Sequence, residues 1–177
     1  MQFAPAYFED TDLAYCIRKL GFRVVYQPLS VVIHHEGISN GVDENEGVKK
    51  YQEVNRGKFL NKWKHELSVE SSPNGDNVFF HRDRSLKMKH LLVIDHYIPH
   101  FDQDAGSRST FSYLKLFLKM GYKVHFIGDN FFRHEPYTTI LQQMGVEVIY
   151  GNYYQKFIRE WFRDNGHYFD IVIAHRV

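Results

Sequence analysis

Over residues 90–177, short β-rich apolar runs alternate with amphipathic stretches at a regular pitch, and this alternation limits the fold more than any other feature of the chain. Residues 91–94 (LLVI) read as a buried strand. Residues 111–120 set Phe111, Leu114, Phe117 and Leu118 on one helical stripe that Gly121 stops. A strand over 123–127 follows, then a helix over 136–144 with Pro136 in its first turn and Gly145 after its last. The pattern closes with a strand over 146–150, a helix over 153–165 ended by Gly166, and a strand over 169–174. Such alternation predicts a parallel sheet with right-handed crossovers, the first half of a doubly wound α/β fold. No Gly-x-Gly-x-x-Gly occurs in it, so dinucleotide binding has no support.

The first part of the chain reads differently. Glu9, Asp10, Thr11 and Asp12 offer side-chain oxygens and negative charge to a helix start, and Leu13, Cys16, Ile17 and Leu20 recur at helical spacing before Gly21. Arg18 and Lys19 fall in the last turn, where the helix dipole favours cations. Two short β-rich runs, 22–26 and 30–33, predict strands, and a polar glycine-rich loop covers 37–47. An amphipathic helix is expected over 48–67, with Tyr51, Phe59, Trp63 and Leu67 on one face and Asn55 interrupting it. Residues 68–77 (SVESSPNGDN) break the composition, and the expected organisation is a first segment over 1–67, a linker over 68–89 and a second segment over 90–177.

Composition excludes several classes. Lys plus Arg total 22 against 21 Asp plus Glu, so the basic excess of a nucleic-acid binder is absent. One cysteine, Cys16, cannot form an internal disulfide, and no apolar run reaches the roughly 18–20 residues of a membrane span. With 44% hydrophobic residues the chain can bury a core, and a cytoplasmic location is expected. The basic stretch Arg82, Arg84, Lys87 and Lys89 reads as a solvated patch. Phe79–Phe80, Phe131–Phe132 and Tyr153–Tyr154 read as core fillers or edge covers rather than sugar-stacking platforms.

Two constellations carry candidate chemistry. Adjacent carboxylates Glu9, Asp10 and Asp12 at a helix start can hold one group ionised and able to accept a proton, although helix capping explains the bare triplet as well. His34–His35 at a strand end does not have the His-Glu-x-x-His spacing of a zinc helix. Asp104-Ala105-Gly106-Ser107-Arg108 lies between the first strand and helix of the second segment, where Gly106 permits close backbone approach and a helix N-terminus offers amides to an anion. A tight turn that needs small residues is the alternative there.

The run YFEDTDLAYCIRKLGFRVVYQPLSVVIHHEGISNG resembles the C-terminal part of the catalytic domain of family-two glycosyltransferases, of GT-A fold, and KKYQEVNRGKFLNKWKHEL resembles the helix that follows in many bacterial members. The resemblance implies Asp10 as the catalytic base that deprotonates an acceptor hydroxyl, with Glu9 and Asp12 shaping the acceptor side. It places His34, with Gly37 and Ser39, near a divalent metal (Mg or Mn) and the donor diphosphate. The family's Asp-x-Asp metal motif and its sugar-nucleotide half are absent, so no metal is expected to bind tightly to this chain.

HLLVIDHYIPHFDQDAGSRSTFSYLKLFLKMGYKVHFIGDN, with EPYTTILQQMGVEVIYG and FDIVIAHR, resembles the N-terminal Rossmann-type domain of family-four-like GT-B glycosyltransferases. That implies Asp104, Gly106, Ser107 and Arg108 in a cleft facing donor and acceptor. The expected fold class is therefore α/β, a partial GT-A segment (helix, two short strands, long amphipathic helix) followed by a Rossmann-like half domain. The expected function is transfer of a sugar from a nucleotide-sugar donor to a hydroxyl acceptor in glycan or polysaccharide synthesis, by a piece inactive alone. The alternative is a non-catalytic nucleotide-binding or interaction module. Neither nucleic acid nor a transmembrane segment is expected.

Overall fold

The structure, a computed structural model, describes residues 2–27, 30–33, 50–70, 75–76 and 78–176. The chain divides into two compact units, Met1–Ser71 and Ser72–Val177.

The first unit is helical. Helix α1 spans Glu9–Lys19, α2 Tyr51–Lys62 and α3 Lys64–Glu70. Glu9, Asp10 and Asp12 lie in the first turn of α1, where they complement the helix dipole, but the residue capping the helix is Phe8 and no side chain caps it. This differs from the expected side-chain cap. Gly21 follows the helix with φ 84°, a left-handed conformation that a Cβ would strain.

The amphipathic face read from sequence is buried, but in two helices rather than one. Trp63 leaves helical geometry between α2 and α3, and the second helix runs on to Glu70. Phe3, Phe59 and Trp63 form the core of the unit, with Phe8, Tyr15, Cys16 and Leu67 against it. Asn55 is fully buried on the same face, and its amide donates to the carbonyls of Phe3 (2.9 Å) and Ala6 (2.7 Å). The polar interruption is thus what ties the N-terminal segment to α2, since a buried amide must find acceptors.

The two strands expected at 22–26 and 30–33 are corrected: no strand is assigned among the described residues there. The β-rich side chains stay exposed, Tyr26 at 90%. Propensity alone does not make a strand, because each backbone group needs a partner strand to bond.

The second unit is α/β. In chain order it comprises α4 (Val78–His81), β1 (His90–Asp95), α5 (Ala105–Lys119), β2 (Lys123–Gly128), α6 (Tyr137–Met144), β3 (Glu147–Ile149), α7 (Asn152–Asn165) and β4 (Ile171–His175). The sheet has the order β3-β2-β1-β4 with every pairing parallel, so the fold is Rossmann-like α/β. Leu91, Val93, Val124, Phe126 and Val148 face α5 and α6 on one side, where Leu114 and Leu141 are fully buried. Leu92, Ile127 and Ile149 face Tyr154, Ile158, Trp161 and Phe162 of α7 on the other. Period-two alternation along each strand therefore feeds both layers.

Helix α5 begins at Ala105, earlier than the apolar stripe at 111 suggested, because Asp104 caps it: the carboxylate accepts from the Ser107 amide at 2.7 Å. Parts of the stretch 68–89, read from sequence as a linker, carry helices. Helix α3 occupies its first residues, and Phe79 of α4 is buried against the rings of His90, His125 and Tyr168. Arg82, expected in solvent, donates to Glu147 at 2.7 Å. On the far side of the sheet, among the described residues, β4 pairs with β1 and no strand lies on its other edge, with Val172 53% exposed.

Candidate functional site

Because β2 and β3 lie to one side of β1 and β4 to the other, the strand order reverses between β1 and β4. In open α/β sheets the crevice beyond the strand ends at such a switch point is where ligands bind. Asp95 ends β1 and pairs in register with His175, which ends β4.

Asp95 is fully buried and heavily bonded. It accepts from Arg176 Nε (2.9 Å) and Nη2 (2.8 Å), from the Thr110 hydroxyl (2.6 Å) and from the His96 amide (2.7 Å). A bidentate guanidinium is the strongest partner a carboxylate finds among side chains. Burial alone would raise the Asp95 carboxyl, but Arg176, Thr110 and the His96 amide outweigh it and hold it below the ordinary range.

The same guanidinium reaches Asp104, at 3.5 Å from Nη1. Ser107 is the largest cause of the Asp104 carboxyl being held down to about 2, and Tyr97 and Arg176 add to it. Gly106 lies directly under Arg176: a Cβ there would overlap Nη1 and stand 3.1 Å from Cζ. A Cβ at Gly106 would therefore displace the tip of a flexible side chain that arrives just past β4, and would not strain a left-handed backbone. His175 Nδ1 stands 3.2 Å from the Thr110 hydroxyl and 3.5 Å from Asp95. A half-exposed imidazole held from one side by a carboxylate can present its other nitrogen to a proton donor. A cavity of about 200 Å³ opens beside it, lined by Val93, Thr110, Tyr113, Phe117, Ile173 and His175.

The structure brings Asp104, Gly106 and Ser107 together beside Arg176 at the strand ends. Arg108 does not join them: it is exposed and its Nε donates to the Phe101 carbonyl at 3.4 Å. Asp95, Thr110, His175 and Arg176 complete the arrangement, and the sequence reading missed them as a site. The one signal available was position, Asp95 directly after the predicted strand 91–94 and His175-Arg176 directly after the predicted strand 169–174.

In the first unit, Glu9 and Asp12 line a cavity of about 350 Å³ with Gln2, Phe3, Ala4, Pro5 and Lys62. Asp12 accepts from Trp63 Nε1 at 2.7 Å and from Lys62 Nζ at 2.8 Å. Its hydrogen bond to the Asp12 carboxylate is the main reason that the Lys62 ammonium is raised above its usual value. Asp10, the expected base, is not among the residues lining this cavity; it is exposed and accepts from the Thr11 amide at 2.6 Å. His34 lies outside the described residues. Among the described residues no group of three or more His, Cys, Asp or Glu side chains is placed to hold a metal ion. No described helix is long and apolar enough to cross a membrane.

Comparison with family models, with curated proteins and with solved structures returns no match.

Proposed function

We propose that the chain carries parts of two glycosyltransferase domains, the C-terminal part of a GT-A-type domain in the first unit and the N-terminal part of a GT-B-type domain in the second. The chemistry is transfer of a sugar from a nucleotide-sugar donor to a hydroxyl acceptor in glycan or polysaccharide synthesis. One observation carries the reading furthest. The small-residue first turn of α5 meets the end of β4 at the switch point, and Gly106, having no Cβ, lets the Arg176 guanidinium lie against it beside Asp104. Hydroxyl-rich ligands suit such a rim, because carboxylates accept from hydroxyls and a guanidinium donates to them.

His34, the residue implied to lie near a divalent metal, is outside the described residues, so no step of the proposal runs through a metal. In the first unit Asp12 is already committed to Lys62 and Trp63, and Asp10 is exposed and accepts from its neighbour Thr11. That favours a chain that binds sugar-containing ligands without turning them over, and it also suits the second reading, a non-catalytic nucleotide-binding or interaction module.

Two measurements on the 177-residue chain separate these outcomes. A panel of nucleotide sugars with manganese or magnesium yields no transfer and no donor hydrolysis; turnover that Asp10→Asn abolishes would show that the first unit is competent by itself. Saturation-transfer NMR with the same panel and with oligosaccharides gives contacts at the crevice, and Gly106→Val, which drives a side chain into the Arg176 guanidinium, removes them. Absence of any crevice signal with every ligand rejects the reading for the second unit.

A further inference from the structure

The chain is nearly neutral as a whole, but its charge is unevenly spread. Residues 84–94 and 105–128 hold seven Lys and Arg and no Asp or Glu, in a chain of net charge +1. The fold brings parts of these two stretches together. Helix α5 starts beside the crevice at Ala105 and runs back along the sheet to Lys119, so its last two turns lie where β1 and β2 begin. Residues 86–89 enter β1 at that same end, and the Lys123 amide donates to the Lys89 carbonyl at 2.9 Å. A groove of about 310 Å³ joins the two segments, with Lys87, Met88 and Lys89 on one side and Met120, Gly121 and Tyr122 on the other.

Two kinds of side chain stand in solvent there. The helical period turns Leu114 and Leu118 toward the sheet and leaves Lys115 and Lys119 on the outer face beside Leu116 and Met120, each pair four residues apart. Leu86, Met88, Leu116 and Met120 are between 40% and 60% exposed. Lys87, Lys89, Lys115 and Lys119 are exposed too, and among the described residues none of them forms an ion pair. The acidic groups at this end are engaged elsewhere. Asp83 pairs with Lys123, Glu147 with Arg82, and Asp170 accepts from the His90 amide at 2.7 Å.

Cations interleaved with exposed aliphatic side chains select among polyanions. The phosphates of a nucleic acid are hydrated and give Leu86, Met88, Leu116 and Met120 nothing to bury against. An anionic bilayer serves both kinds of side chain. The ammonium groups stay among the headgroups, while the lysine stems and the aliphatic chains beside them reach the acyl boundary. A second copy of this face is the wrong occupant, because it would set lysine against lysine. We propose that this face of the second unit docks on an anionic membrane surface, with the four lysines at the headgroups and the four aliphatic side chains beneath them. The docking does not depend on what the crevice binds.

Flotation of the whole chain with unilamellar vesicles tests this. The protein floats with phosphatidylcholine and phosphatidylglycerol at about 3:1 and stays behind with phosphatidylcholine alone. Lys115→Glu with Lys119→Glu lowers the apparent lipid affinity at least about tenfold, and so does a rise in NaCl from roughly 0.1 to 0.5 M. Leu116→Ser with Met120→Ser leaves the charge unchanged and lowers the affinity about fivefold. Lys156→Glu with Arg159→Glu, an equal change of charge at exposed positions of α7, keeps it within about twofold. All six positions are exposed, so each variant is expected to keep the circular dichroism of the parent.

No flotation with the anionic vesicles overturns the proposal. Equal loss in the α7 pair overturns it as well, and so does unchanged affinity in the serine pair. Capture by heparin or duplex DNA without flotation would assign the face to a soluble polyanion, and that result also rejects the membrane.

Discussion

Asp95→Ala is expected to cost the second unit about 3 kcal/mol, because it removes the shared acceptor of Arg176, Thr110 and the His96 amide at once. The loss stays near the lower end for a buried pair, since the Arg176 side chain is 29% exposed and can turn to water or to Asp104. Each unit holds one of the two tryptophans, Trp63 in the first and Trp161 in the second. A Trp63→Phe background therefore reports the second unit by Trp161 fluorescence, and the urea midpoint is expected to fall by roughly 2 M. Asp95→Asn keeps the shape and one acceptor, and is expected to lose less. The linkage has a definite sign: an Asp95 carboxyl held below 3.8 in the folded state contributes stability that is complete above that value and is lost as pH falls through the folded value. The variant should accordingly lose part of the acid dependence of the unit. A midpoint unchanged within error would show that the cluster at the strand ends does not hold the sheet together.

Trp63→Ala is expected to be the most damaging single change in the first unit, at about 3–5 kcal/mol. Trp63 is 3% exposed, packs with Phe3 and Phe59 and donates to Asp12. Trp63→Phe separates the two contributions. It keeps most of the buried ring and removes the indole donor, so about 1 kcal/mol is lost and Asp12 is left to Lys62 alone. Amide exchange in α1 and α2 reads both variants, and faster exchange in Trp63→Ala with near-normal exchange in Trp63→Phe is the expected order. The reverse order would mean that the Asp12 bond, rather than packing, anchors α1 on α2.

The second unit was largely legible because its signals are local. Apolar runs such as LLVI and KVHFI could only be buried strands at that length, and Gly121, Gly145 and Gly166 mark helix ends where the structure has them. The start of α5 was not, because Ala105–Thr110 is polar and small; what nucleates that turn is the Asp104 carboxylate on the Ser107 amide, a cap hidden inside an apparent loop. In the first unit the β-rich runs at 22–33 misled, since strand formation depends on a partner that local composition does not specify. Half of the crevice was readable from Gly106 and Asp104. The other half was not: Asp95 and Arg176 are separated by 81 positions and meet only because β4 is laid beside β1. Asn55 shows the same limit on a smaller scale, an interruption in a helical stripe whose meaning is supplied by carbonyls near the N-terminus.

The unpaired flank of β4 has a practical consequence for anyone who handles the protein. A short row of free amides and carbonyls beside Val172 is a template onto which any extended peptide can zip, including one from a neighbouring molecule at millimolar density. Self-association should then climb with concentration and subside when a lysine replaces that valine, leaving the hydrophobic interior untouched. Sedimentation velocity across a dilution series would make the dependence visible.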